Sequence, residues 1–156
     1  MLSKLKQRKE EKGFTIIEVL IVLAIAGLIL LIVFLAVPAL QRNSRNTSRK
    51  NDVARVGGAA TEFLSNNGGT LPTNSAADLT TLNNSIGKMS EYASTDLSVA
   101  AGAQAALGST NLSTVRIVTG AKCGTNGAAV AGTSRQMVVQ YMVETSGNPN
   151  AICQDV

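Results

Sequence analysis

A chain of 156 residues has room for one small domain, and 3% aromatics with no Trp and no His are a poor supply for a varied active site. The formal charge of +4 does not mark a nucleic-acid binder, because residues 1 to 13 carry Lys4, Lys6, Arg8, Lys9 and Lys12 against Glu10 and Glu11. Past Gly13, nine basic residues face eight acidic ones, and the chain is nearly neutral.

From Val19 to Leu40 run 22 residues without a charge, VLIVLAIAGLILLIVFLAVPAL. At about 1.5 Å per residue, such a helix spans a hydrocarbon layer about 30 Å thick. A run that is apolar on every side has no face to offer water, and a small head cannot bury it. A cleaved secretory signal is the rival reading, since a basic segment precedes the run and Ala24-Ile25-Ala26 resembles a small-x-small cleavage site. It fails on length, because the apolar run continues to Leu40 with Pro38 as its only interruption. Charge does not orient the span, because Arg42, Arg45, Arg49, Lys50 and Arg55 after it match the five basic residues before it.

Helical spacing continues through Val53, Val56, Ala60, Phe63 and Leu64, which predicts one helix from about Thr15 to Ser65, although Gly57-Gly58 argues against continuity. Arg42, Arg45 and Arg49 fall on a polar stripe, expected to be solvated or to face headgroups. A nucleic-acid contact there is a weak alternative, because no aromatic platform accompanies the charges. Asn66-Asn67-Gly68-Gly69 ends the helix, and Leu71-Pro72-Thr73 is extended. A short helix begins at Ser75 with Leu79, Leu82 and Ile86 on one side. The remainder of 73–113 is expected to be surface loop.

Two strands are predicted near the end, Thr114 to Thr119 and Gln136 to Glu144, the second alternating Met137, Val139, Tyr141, Val143 against Val138, Gln140, Met142, Glu144. The fold class is therefore α+β: a small antiparallel sheet laid on the amphipathic half of the long helix, covering Val53, Val56 and Phe63. Cys123 and Cys153 show no CxxC spacing and have no His beside them, so no metal site is expected. In a domain carried across a membrane they form one disulfide; two inert buried thiols are the alternative. No nucleophile–base pair, phosphate loop or cofactor motif is present, and no catalysis is expected.

The junction Lys12-Gly13-Phe14-Thr15-Ile16-Ile17-Glu18 carries the most information. Glu18 is the anomaly, because a carboxylate within an apolar helix costs about 2.5–3.5 kcal/mol even on insertion scales and calls for a partner. With GFTIIEVLIVLAIAGLILL, the sequence closely resembles the type IV pilin and pseudopilin superfamily. The resemblance implies a leader over 1–13, cut by a membrane prepilin peptidase between Gly13 and Phe14, with N-methylation of Phe14. It implies a transmembrane and assembly helix over 14–40, an amphipathic continuation over 41–66, and an extracytoplasmic head over 67–156 with a variable loop (67–113) and a sheet and disulfide region (114–156).

By the same resemblance Glu18 pairs with the amino terminus of a neighbouring copy. Gly27 stands where pilins often place a helix-loosening glycine, and Pro38 lies a few residues later than the family's common helix-breaking proline. The implied partners are copies of the chain, the peptidase, an assembly platform and the cytoplasmic membrane before assembly. The product is a surface filament for adhesion, motility or DNA uptake. A pseudopilin of a secretion or competence machine would use the same junction. An uncleaved single-pass protein with a binding head would make Gly13 and Glu18 coincidental.

Cleavage after Gly13 is directly testable, since glycine offers the peptidase an unhindered backbone just outside the apolar run. In cells holding a prepilin peptidase, N-terminal mass spectrometry should find a mature protein beginning at Phe14. Gly13 replaced by a bulkier residue should reduce processing, whereas a start at Met1 or after Ala26 would refute the assignment.

Overall fold

The computed structural model describes residues 13–108 and 111–156, and the expected leader over 1–13 lies outside them but for Gly13. The chain divides into two compact units, Met1–Pro38 and Ala39–Val156. Helix α1, Ile16–Asn66, is 51 residues long and contributes to both.

In the first unit the helix is uncovered. Its apolar side chains are exposed all around, from Ile16 and Leu20 to Phe34 and Leu35, and its most apolar window has nothing buried. By length and composition this helix can cross a membrane. Pro38 sits inside the helix, where it removes one rung of the backbone ladder.

In the second unit the same helix acquires sides. Val53, Val56, Ala59, Ala60 and Phe63 are buried at helical spacing, and the expected cover over Val53, Val56 and Phe63 is present. Gly57-Gly58 does not break the helix. A Cβ on Gly57 would lie 3.3 Å from Val156 Cγ2, so the missing side chain admits the end of the chain. The helix stops at the expected Asn-Gly cluster through a Schellman-type closure: the Gly69 N–H reaches Leu64 O at 2.8 Å, with Gly68 and Gly69 at φ 62° and 87°.

Helix α2, Ala76–Ile86, also begins where expected, with Ser75 Oγ accepting from the Asp78 N–H at 3.1 Å. Leu82 and Ile86 pack into the core and Leu79 is half-buried against it.

The strands are β1 Leu97–Ala101, β2 Val115–Thr119, β3 Ala121–Cys123, β4 Ala129–Ala131, β5 Met137–Val143 and β6 Asn150–Asp155. The main sheet has the order β1-β2-β5-β6, and β3 and β4 form a separate ribbon. The sheet is mixed rather than purely antiparallel, because β1 runs parallel to β2 while β2–β5 and β5–β6 are antiparallel. Strand β1 lies inside the stretch expected to be loop, with Met89, Tyr92 and Leu107 buried around it, so that expectation is corrected. Its LSVAA carries one β-branched residue and small neighbours, and it is held by pairing more than by propensity.

Strand β5 is the centre of the head. Met137, Val139 and Tyr141 face the core shared with α1, while Val138 and Met142 serve two smaller clusters on the opposite face. Between these two, Gln140 is fully buried, and its amide donates to Ala105 O at 3.2 Å and Gly127 O at 2.8 Å, which keeps a polar group in the interior satisfied.

Cys123 and Cys153 form the disulfide, with Cα atoms 5.5 Å apart, joining β3 to β6. Removing it should destabilise the head by about 2–5 kcal/mol. Thermal or denaturant unfolding of Cys123→Ser measures this, and full alkylation of both thiols in unreduced protein would show that the bond does not form in cells.

Candidate functional site

Helix α1 begins at the junction that resembles a processing motif. Gly13, Phe14 and Thr15 precede it, and Phe14 is 84% exposed, so the backbone between Gly13 and Phe14 is not shielded by packing. Thr15 caps the first turn: its Oγ1 accepts from the Glu18 N–H at 3.3 Å and donates to Glu18 Oε2 at 3.4 Å. These four residues line a shallow concavity at the helix start. A 3.4 Å contact open to solvent contributes little, far less than the cost of a carboxylate in lipid. The local cap therefore orients Glu18 without satisfying it.

Gly27 and Pro38 both lie within continuous α1, and a Cβ on Gly27 would meet nothing within 4 Å. Among the described residues no His/Cys/Asp/Glu cluster could hold a metal ion.

A second charged group sits just past the C-terminal end of β5, and there the expectation of a solvated stripe fails at Arg49, which is buried, while Arg45 stays exposed. Arg45 donates to Glu144 twice, from Nε at 2.8 Å and Nη2 at 2.6 Å, and Arg49 Nη1 donates at 2.8 Å. Arg49 is 5% exposed and also meets Glu91 Oε2 at 3.4 Å. Asn46 completes the grip, its amide donating to Glu144 O and its carbonyl accepting the Glu144 N–H, both at 2.8 Å. Only Arg42 of the three expected stripe residues is left without such a bond among the described residues.

One turn on, buried Asp52 accepts from the Ser90 and Glu91 N–H groups, each at 2.8 Å, and Arg55 donates to the carbonyls of Ile86, the last residue of α2, and of Lys88 just past it. Helix α1 thus grips both β5 and the α2–β1 connection with charged side chains. Nearby, burial pushes the Tyr92 phenol up, and its hydroxyl has no partner among the described residues. Sequence reasoning missed Asn46, Asp52, Glu91 and Glu144 as a group. The readable signal was a Glu closing an alternating apolar strand, with arginines at helical spacing elsewhere.

Residues 8–34 match the family model of the prokaryotic N-terminal methylation motif. The chain carries the signature of type IV pilin and pseudopilin prepilins. No curated protein and no solved structure matches it. The long apolar N-terminal helix and the C-terminal sheet are consistent with an α+β pilin fold, and the apolar helix with the motif fits a membrane-anchored precursor. The signature is that of structural pilin-type proteins, not of an enzyme family, and it implies a prepilin peptidase and assembly into pilus-like filaments.

Hydrogen bonds from Arg45 first, then Arg49, hold the Glu144 carboxyl down to about 2 from 4.5. A depressed carboxyl stabilises the fold above its unfolded value and loses that contribution as pH falls through its folded value. The stability difference between the wild type and Glu144→Gln should therefore be constant well above about pH 5, shrink as pH falls and level off only below about pH 2. Denaturant unfolding at graded pH measures it.

Proposed function

We propose that this chain is a pilin, the structural subunit of a type IV pilus-like surface filament. It enters the cytoplasmic membrane as a precursor, loses residues 1–13 after Gly13 and assembles with copies of itself through α1. The single observation that carries this reading is the junction: a matched methylation motif runs into a helix whose first half is apolar and uncovered, with one carboxylate, Glu18, held at its start. The partners are a prepilin peptidase and an assembly platform. The head, with its disulfide beside β6, faces outward. That staple fits a head held outside the cytoplasm, where disulfides form and persist.

Bundled helices explain Glu18. Its carboxylate and the methylated Phe14 amine of a second copy are each costly in lipid and become one satisfied pair only when the copy arrives in register. Gly27 and Pro38 would loosen the helix where copies must fit together.

Glu18→Val separates this reading from simple anchoring. A more apolar helix should insert as well as the wild type and still be cut at Gly13, yet subunits should remain in the membrane fraction and sheared filaments should be depleted. Undiminished filament yield from the variant would refute the pairing role. Absence of filaments from the wild type, together with a secretion channel gene beside it, would favour the pseudopilin.

A further inference from the structure

The grip on Glu144 has a mechanical consequence, which follows from where burial on α1 begins. No residue of α1 before Arg49 is buried, and the apolar contacts with the sheet start at Val53. Without Glu144, the first tie holding α1 to the head would be Arg49 on Glu91 or Asp52 on the Ser90 and Glu91 amides. With it, the tie moves forward to Arg45 and Asn46, about one turn earlier. Behind that point the helix has a weak rung at Pro38 and no covering partner.

We propose that Glu144 is a latch that sets where α1 becomes part of the head: from Arg45 onward the helix opens only with the head, while residues 39–44 form a compliant joint that can unwind alone. Five hydrogen bonds converge on this one residue from three helix positions, three of them on its carboxylate and two on its backbone. Because Asn46 holds the backbone and the arginines hold the side chain, substitution of Glu144 removes only part of the latch. The proposal does not depend on filament assembly and can be tested on the isolated chain.

Hydrogen exchange with mass spectrometry, on the full chain in detergent micelles, reads the boundary. In the wild type, amides of 39–44 should exchange fast and those of 45–50 should be protected. In Glu144→Gln with Asn46→Ala, the amides of 45–50 should exchange about tenfold faster or more, as expected for loss of charge-assisted and backbone hydrogen bonds. The β5 amides should remain the slowest in the head, which shows that the head still folds. Glu91→Gln, which leaves the latch intact, should not move 45–48. The proposal is overturned if 45–50 stay protected in the double variant, if 39–44 are as protected as 51–60 in the wild type, or if Glu91→Gln loosens 45–48 equally.

Discussion

A single helix has to satisfy two solvents, and the rest of the molecule is arranged around that demand. Over its first half α1 is apolar on every side, which leaves it no stable state in water. Over its second half one stripe, from Val53 to Phe63, needs a cover that the chain must supply itself. The sheet is that cover, and β2 and β5 are its two inner strands, each with buried apolar side chains on both faces. A head of this size gains little from further core, which is why a disulfide and a buried Gln140 network bind the outer layers to it.

Charge on α1 is used for attachment. Arg45, Arg49, Asp52 and Arg55 all reach partners outside the helix, so the face beside the apolar stripe is bonded to the head, with Arg49 and Asp52 buried and Arg45 and Arg55 still open to solvent. Buried Arg49 and Asp52 would be costly alone. Each is acceptable because its partners are charged groups or backbone amides already held in place by the fold. Arg49 Nε is left without a partner among the described residues, so the arrangement is not fully satisfied. Such a cluster favours one register of helix on sheet over its neighbours, since a shift by one turn would leave several charges buried and unpaired.

The elements legible in the sequence were those with a local cause. Helix α1, its stop at Gly68-Gly69, the Ser75 cap of α2 and strands β2 and β5 each carry their own periodicity or turn chemistry. Strands β1 and β6 do not. LSVAA is too small and NAICQD too polar to read as strands, and both exist because a neighbour offers a ladder. The candidate site divides in the same way. The junction at Gly13 to Glu18 is contiguous and could be read directly, whereas the grip on Glu144 joins residues about a hundred positions apart, and nothing in the spacing of Arg45 and Arg49 names their acceptor.

Glu18 and Glu144 make opposite use of the same functional group. Glu144 has three charge-assisted donors within 2.8 Å, so its carboxylate is settled by the subunit's own fold. Among the described residues Glu18 has one hydroxyl at 3.4 Å and is otherwise exposed. In water that is no deficit, because solvent supplies the missing donors. In a hydrocarbon layer it is a standing cost that only an incoming cation can remove. The same chain therefore settles one carboxylate with side chains of its own head and leaves another, at the start of a lipid-compatible helix, with only a weak local cap among the described residues, and that contrast is what the proposed pairing of Glu18 rests on.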